Sequence, residues 1–214
     1  MRSPVELYLA RHAQSRLNTS PNIIGGRSNE TPLTPLGVRQ AKQLGRFMIC
    51  QNIRPLRIHS SPAVRTRQTA QYSLDIAGFG MEPIIDDDLQ EMSQGIYEGL
   101  ERDKVYTDDV VLEITRQQKN FKLQYGESMN DVTARMCNWA NQTAEALPQS
   151  DSPEPLQILA YTHGLAIRCF SASLCELSHD EIRGTYIGNA SLSKFILDDN
   201  GWNMEYSGIG PDGI

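Results

Sequence analysis

Apolar runs that read as strands alternate in this chain with segments that read as helices, and chemically active side chains stand just past the strands. The first instance is the stretch Val5–Asn18, VELYLARHAQSRLN. Val5, Leu7 and Leu9 alternate within six mostly apolar residues, the pattern of a buried strand, and Arg11 and His12 follow at once. In open α/β sheets, ligands bind in the crevice beyond the carboxyl ends of the strands. A cation and an imidazole placed there, followed by Gln14, Ser15 and Asn18, suit a small anion. On this fragment alone, a strand-end histidine satisfied by a neighbouring loop is an equally good reading.

The same grammar recurs down the chain. Residues 19–33 hold Pro21, Gly25, Gly26 and Pro32 and read as a long loop, a length that often marks function. Thr34-Pro35 predicts a capped helix to about Gln51. Leu56–His59 reads as a strand, and Ser61-Pro62 as the start of a helix whose first turn carries Arg65, where unpaired N–H groups favour anions. Residues 82–89 read as a third strand running into a solvated acidic turn, Asp86–Asp88, with Glu91 just beyond. Ser128 and Asp131 have capping-box spacing before a helix whose buried face includes Met136 and Trp139. Residues 148–155 read as a surface linker. Leu156–Tyr161 is the most apolar strand and ends in Thr162-His163-Gly164. Ser178 and Glu181 repeat the capping-box spacing, and Ser191–Leu197 with Trp202–Tyr206 flank a hairpin turn, DDNG. Together these predict an α/β fold, a three-layer α/β/α sandwich with a mostly parallel central sheet and an edge hairpin.

The chain has 214 residues, 39% hydrophobic and 21% charged, enough for one well-buried domain over 1–214. A polar helical stretch at about 101–125 reads as a side wall or lid. The formal charge of −6 argues against nucleic acid or an anionic membrane as the main partner. Cys50, Cys137, Cys169 and Cys175 form no CxxC or Cys/His cluster, so neither zinc nor a redox pair is expected and buried free thiols are. The apolar run after Arg2 is too short for a signal peptide and no segment approaches a membrane span. The expectation is a cytoplasmic protein with no metal and no cofactor, acting on a small phosphorylated metabolite, as a monomer or a homodimer.

Arg11, His12, Arg65, Glu91 and His163 thus share one predicted rim. Arginine matches phosphate oxygens bidentately and stays charged. Two such cations favour a neutral imidazole, which is a nucleophile. His12 is therefore read as attacking phosphorus, and His163 as donating to a phosphoryl oxygen. A carboxyl beside a bound phosphate dianion keeps its proton more readily, so Glu91 is read as protonating the departing alkoxide and later activating water. The arginines take the place of magnesium, and the absence of GxxxxGK[ST] disfavours a nucleotide triphosphatase.

Several segments, in this order, carry a family resemblance. They are Arg11-His12-Ala13 with Asn18, Pro32–Ala41, Ser61-Pro62 with Arg65 and Gln68-Thr69-Ala70, Leu89-Gln90-Glu91 with Gly95 and Glu98-Gly99, Gly126-Glu127-Ser128, Thr162-His163-Gly164, and Asn189. The sequence resembles the histidine phosphatase superfamily, also called phosphoglycerate mutase-like, with alanine at 13 where the family has glycine. The resemblance implies the same sandwich fold, His12 as the phosphorylated nucleophile and Glu91 as proton donor. It implies a phosphate pocket from Arg11, Asn18, Arg65 and His163, with Gly25, Gly164 and Asn189 also in the substrate-binding set. His59 and His179 match no motif and read as surface or structural.

The glycolytic mutases of that family carry further groups around the substrate. By spacing, their tyrosine is Gln94 here, their lysine Arg102, their paired arginines Arg116 and Gln117, and an early-loop serine Ile24. These departures favour a metal-independent phosphatase of small phosphomonoesters working through phosphohistidine. The alternatives are a cofactor-dependent phosphoglycerate mutase and a non-catalytic phosphate- or phosphopeptide-binding module. Arg102, Arg116, Lys119 and Lys122 are candidates for a second anionic group or for a solvated face.

Overall fold

The computed structural model describes residues 3–148 and 154–211; most of the expected linker at 148–155 lies outside them. Strand β1 (Val5–Arg11) is followed by helix α1 (Pro35–Cys50), strand β2 (Arg57–Ser60) and helix α2 (Val64–Ala77). Then come β3 (Ile84–Ile85), α3 (Arg102–Val105), α4 (Asp108–Gln117), α5 (Met129–Glu145), β4 (Leu156–Thr162), α6 (Gly164–Cys175), α7 (His179–Gly184), β5 (Leu192–Asp198) and β6 (Gly201–Ile209). The sheet order is β3-β2-β4-β1-β5-β6. Strands β3, β2, β4 and β1 run parallel, and β5 and β6 add the antiparallel edge hairpin.

Side chains alternate across a strand, and in β1 both faces are buried. Leu7 and Leu9 pack with Ile158 and Ala160 against α5 and α6, where Met136, Trp139 and Phe170 complete one core. Tyr8 and Ala10 pack with Leu159 and Tyr161 against α1 and α2. These two cores lie between the sheet and its helix layers, and burying each large apolar side chain contributes about 1.5–3 kcal/mol. The Thr34 hydroxyl caps α1 by accepting from the Gly37 N–H at 3.0 Å. Ser128 and Ser178 form complete capping boxes with Asp131 and Glu181.

Several local expectations are corrected. Helix α2 begins at Val64 with Ala63 as its cap, because the Ser61 hydroxyl is engaged elsewhere. The strand expected over 82–89 shortens to Ile84–Ile85. Asp86 folds the chain into a tight turn there and, while half-buried, also accepts the Trp139 indole N–H at 2.8 Å. Of the four free cysteines only Cys169 is buried. His59 and His179 are both buried. The stretch over 101–125 forms α3, α4 and a short turn, and Val105 and Leu123 pack on Ile24 of the early loop as a third small core.

Candidate active site

Parallel register sets the site. Arg11 pairs with Thr162 across β1 and β4, and Ser60 pairs with Tyr161 across β2 and β4. The three strands therefore release His12, His163 and Ser61 side by side at one sheet end. The two imidazoles meet edge-on with ring centroids 5.2 Å apart. Arg65 arrives from the first turn of α2, and the Thr162 hydroxyl holds the Leu89 carbonyl at 2.7 Å, bringing the Glu91 segment to the same rim.

His12 Nδ1 lies 2.8 Å from the Ala13 carbonyl. A carbonyl only accepts, so Nδ1 carries the proton and the neutral ring keeps its lone pair on Nε2. Burial, then Arg65, then Arg11 hold His12 well below the ordinary histidine range. Ala13 is buried and its backbone stays out of the left-handed region, so alanine serves where the family has glycine. Asn189 donates to the His12 carbonyl at 3.0 Å and faces the Asn18 side-chain oxygen.

Arg65 donates to the Ser28 carbonyl at 2.9 Å, the Gly26 carbonyl at 3.2 Å and His163 Nδ1 at 3.2 Å. Because a guanidinium only donates, His163 carries its proton on Nε2 and gives it to Ser61 Oγ at 2.8 Å. Burial, then Arg65, keep His163 well below its ordinary value. In this arrangement both ring nitrogens of His163 are engaged within the protein, by Arg65 and by Ser61. Arg11 donates to the Ile187 carbonyl. Among the described residues its Nε is a buried donor without a partner, and a Cβ on Gly164 would come within 3.1 Å of it. Burial pulls both guanidiniums down from the arginine range while Glu91 pulls them back. Glu91 Oε1 accepts the Met92 N–H at 2.8 Å, and Oε2 accepts the Leu165 N–H at 3.2 Å in the first turn of α6, a favourable end for an anion.

A cavity of about 580 Å³ opens over these groups, walled by Arg11, His12, Asn18, Gly25, Arg65 and Glu91 among others. His163, Gly164 and Asn189 do not line it; they contact Arg65, Arg11 and the His12 carbonyl in turn. Three parts of the site escape sequence reasoning: the Ser61–His163 bond, Arg168 and Arg183 on the outer wall, and the support beneath Glu91. That support is Glu127, which accepts from Arg135, Arg27 and the Ser93 N–H. Burial acts upward on Glu127, but these partners outweigh it and hold the carboxyl below its usual value. Arg168 lies four residues after Gly164, one turn along the same helix face, which is the one signal the sequence offered.

A family model described as histidine phosphatase superfamily (branch 1) matches residues 7–209. The chain belongs to that superfamily. A probable phosphoglycerate mutase, GpmB, of Yersinia pestis is 29% identical over 203 residues, covering 92% of this chain and 87% of that protein. The native structure of a mycobacterial glucosyl-3-phosphoglycerate phosphatase superposes with a TM-score of 0.77 at 25% identity, covering 96% of this chain and 99% of that one. A phosphoserine phosphatase mutant of Entamoeba histolytica, solved with phosphoserine, gives 0.78 at 20% identity, covering 95% and 96%. Superfamily relatives thus include phosphatases and a probable mutase.

Proposed function

We propose that this chain is a metal-independent phosphomonoesterase that passes its phosphoryl group through His12. The observation that carries the reading is the state of His12: a neutral ring with its Nδ1 proton committed to Ala13, set beside two arginines at a cavity that also holds Glu91. His12 Nε2 attacks phosphorus, the ester oxygen leaves with the proton of Glu91, and phosphohistidine remains. Glu91 then takes a proton from water as the water oxygen attacks phosphorus, which frees Nε2 and releases inorganic phosphate. Phosphoryl transfer depends mostly on positioning and charge, and Arg11 and Arg65 supply both.

The GpmB relative favours a second reading, a phosphoglycerate mutase. Features of this site weigh the other way. Ile24 offers no hydroxyl to the cavity, Gln94 is engaged by the Tyr106 hydroxyl at 3.0 Å, and Arg116 is paired with Glu113 at 2.8 Å and does not line the cavity. p-Nitrophenyl phosphate should be hydrolysed with EDTA present, and the activity lost in His12→Ala. With 3-phosphoglycerate, phosphate release measured beside an enolase-coupled assay should exceed isomerisation; faster isomerisation would establish the mutase.

A further inference from the structure

The carboxyl of Glu91 and the guanidinium of Arg65 reach the cavity from different segments, and proton delivery to a bound ester depends on how far apart they stand. Glu91 follows a short turn, Asp87–Leu89, that is anchored in the core through Leu89. Arg65 stands in the first turn of α2, which the early loop holds from outside. The Val64 N–H donates to the Asn29 carbonyl at 2.7 Å, and Arg65 donates to the Ser28 carbonyl at 2.9 Å. Residues 28 and 29 thus fix where Arg65 stands, as the Asp87–Leu89 turn fixes where Glu91 starts.

One side chain joins the two. Gln90 is buried, a setting that keeps an amide only where both its ends are paired. Its Nε2 donates to Asp87 Oδ1 at 3.1 Å, which closes the turn that delivers Glu91. A carboxylate only accepts, so this bond fixes which way the amide points. Gln90 Oε1 is then left to accept the Asn29 side-chain N–H at 2.8 Å, across 61 residues of sequence. Asn29 Oδ1 is buried without a partner among the described residues, so the bond to Gln90 is what that amide contributes. The backbone at Gln90 is extended, and successive side chains of an extended chain point opposite ways. Gln90 accordingly meets the early loop while Glu91 meets the first turn of α6. Arg27 and Glu127 hold the main chain at and beyond Glu91; Gln90 holds it on the side toward Arg65.

Resting on the phosphatase reading, we propose that Gln90 is a positioning residue that sets the reach of the Glu91 carboxyl to the leaving oxygen of a phosphoryl group held by Arg65. Gln90 touches no reacting atom and acts through Glu91. A proton donor matters more as the leaving oxygen becomes more basic: p-nitrophenolate departs readily without a proton, whereas phenolate and p-methoxyphenolate depend on one. The test is kcat/KM for p-nitrophenyl, phenyl and p-methoxyphenyl phosphate, a series alike in shape. Gln90→Met keeps the length of the side chain and removes both hydrogen bonds. It should cost the two basic leaving groups about tenfold or more, and p-nitrophenyl phosphate about threefold or less. Asn29→Ala should steepen the series in the same way from the other end of the bridge, which keeps the test open where Gln90→Met does not fold. Added to Glu91→Gln, Gln90→Met should leave the steepness unchanged, since the acid it serves is already gone. A uniform fall across the three esters, as a merely structural role gives, overturns the proposal. So does a series unmoved in both single variants, or one that steepens further in the Glu91→Gln background. Absence of p-nitrophenyl phosphate turnover in the wild type would instead strike the phosphatase reading beneath it.

Discussion

Replacing Arg65 with glutamine removes one charge and a three-way tether in a single step. The lost partners are the carbonyls of Ser28 and Gly26 and the Nδ1 of His163. A buried acceptor left without its donor costs about 1–3 kcal/mol. With partial rescue by the shorter amide and by water, a net loss of about 2–4 kcal/mol is expected. For a chain of this size that lowers Tm by roughly 4–16 °C. The catalytic loss is separate. A charged donor aimed at developing phosphoryl charge is worth about 10²–10³ in rate, so kcat/KM for p-nitrophenyl phosphate should fall by about that factor. The third consequence is the sharpest. Arg65 is the foremost charge holding His12 below the ordinary histidine range. Without it the His12 ring holds its proton to higher pH, and the acidic limb of the kcat/KM profile moves upward. The substrate's own ionisation is common to both proteins and cancels in the comparison. A pH series on the folded variant with one substrate decides the matter. An acidic limb that stays in place while the rate falls would refute the claim that Arg65 keeps the nucleophile neutral.

Further expectations follow the same logic. Ser61→Ala removes the acceptor of the His163 Nε2 proton and should lower kcat more than KM changes, with Ser61→Thr restoring most of the activity. Gly37→Ala, which in an ordinary helix interior stabilises by about 1 kcal/mol, should here destabilise, because its Cβ would sit 2.1 Å from the Gln14 carbonyl oxygen; a raised melting temperature would contradict this. His12 and His163 are both held below their unfolded value, so the unfolded chain takes up protons that the native one refuses. Their stabilising contribution is full above about pH 6.5 and is lost as the pH falls below it, with a limiting slope of about 2.7 kcal/mol per pH unit for the pair. Urea melts between pH 7.5 and 5 should show that fall, and a flat profile would contradict it.

The sheet was legible because its central strands are buried on both faces. Val5–Ala10 and Leu156–Tyr161 could be read from apolar content alone. The positions just past them led to His12 and His163, and the parallel register of β1 and β4 is what makes that placement a meeting point. The short edge strand was harder to read. Ile84 and Ile85 are exposed, so no burial pattern marks where pairing stops, and Asp86 ends it through a bond to Trp139 that lies far along the chain. The start of α2 was misread for a related reason. Ser61 has the composition of a cap, but its hydroxyl is spent on His163. Ionic partners separated by long stretches of sequence, such as Glu127 and Arg27, leave no periodic trace.

The reading of His12 as the nucleophile meets its most direct test in rapid acid-free quenching of the protein with 32P-labelled substrate, followed by peptide mapping. The account predicts an acid-labile, alkali-stable phosphoryl group on His12 at the Nε2 position, absent from His12→Ala and slower to form in Glu91→Gln. Full turnover with the label on any other residue, or with no label trapped at all under pre-steady-state conditions, would contradict it.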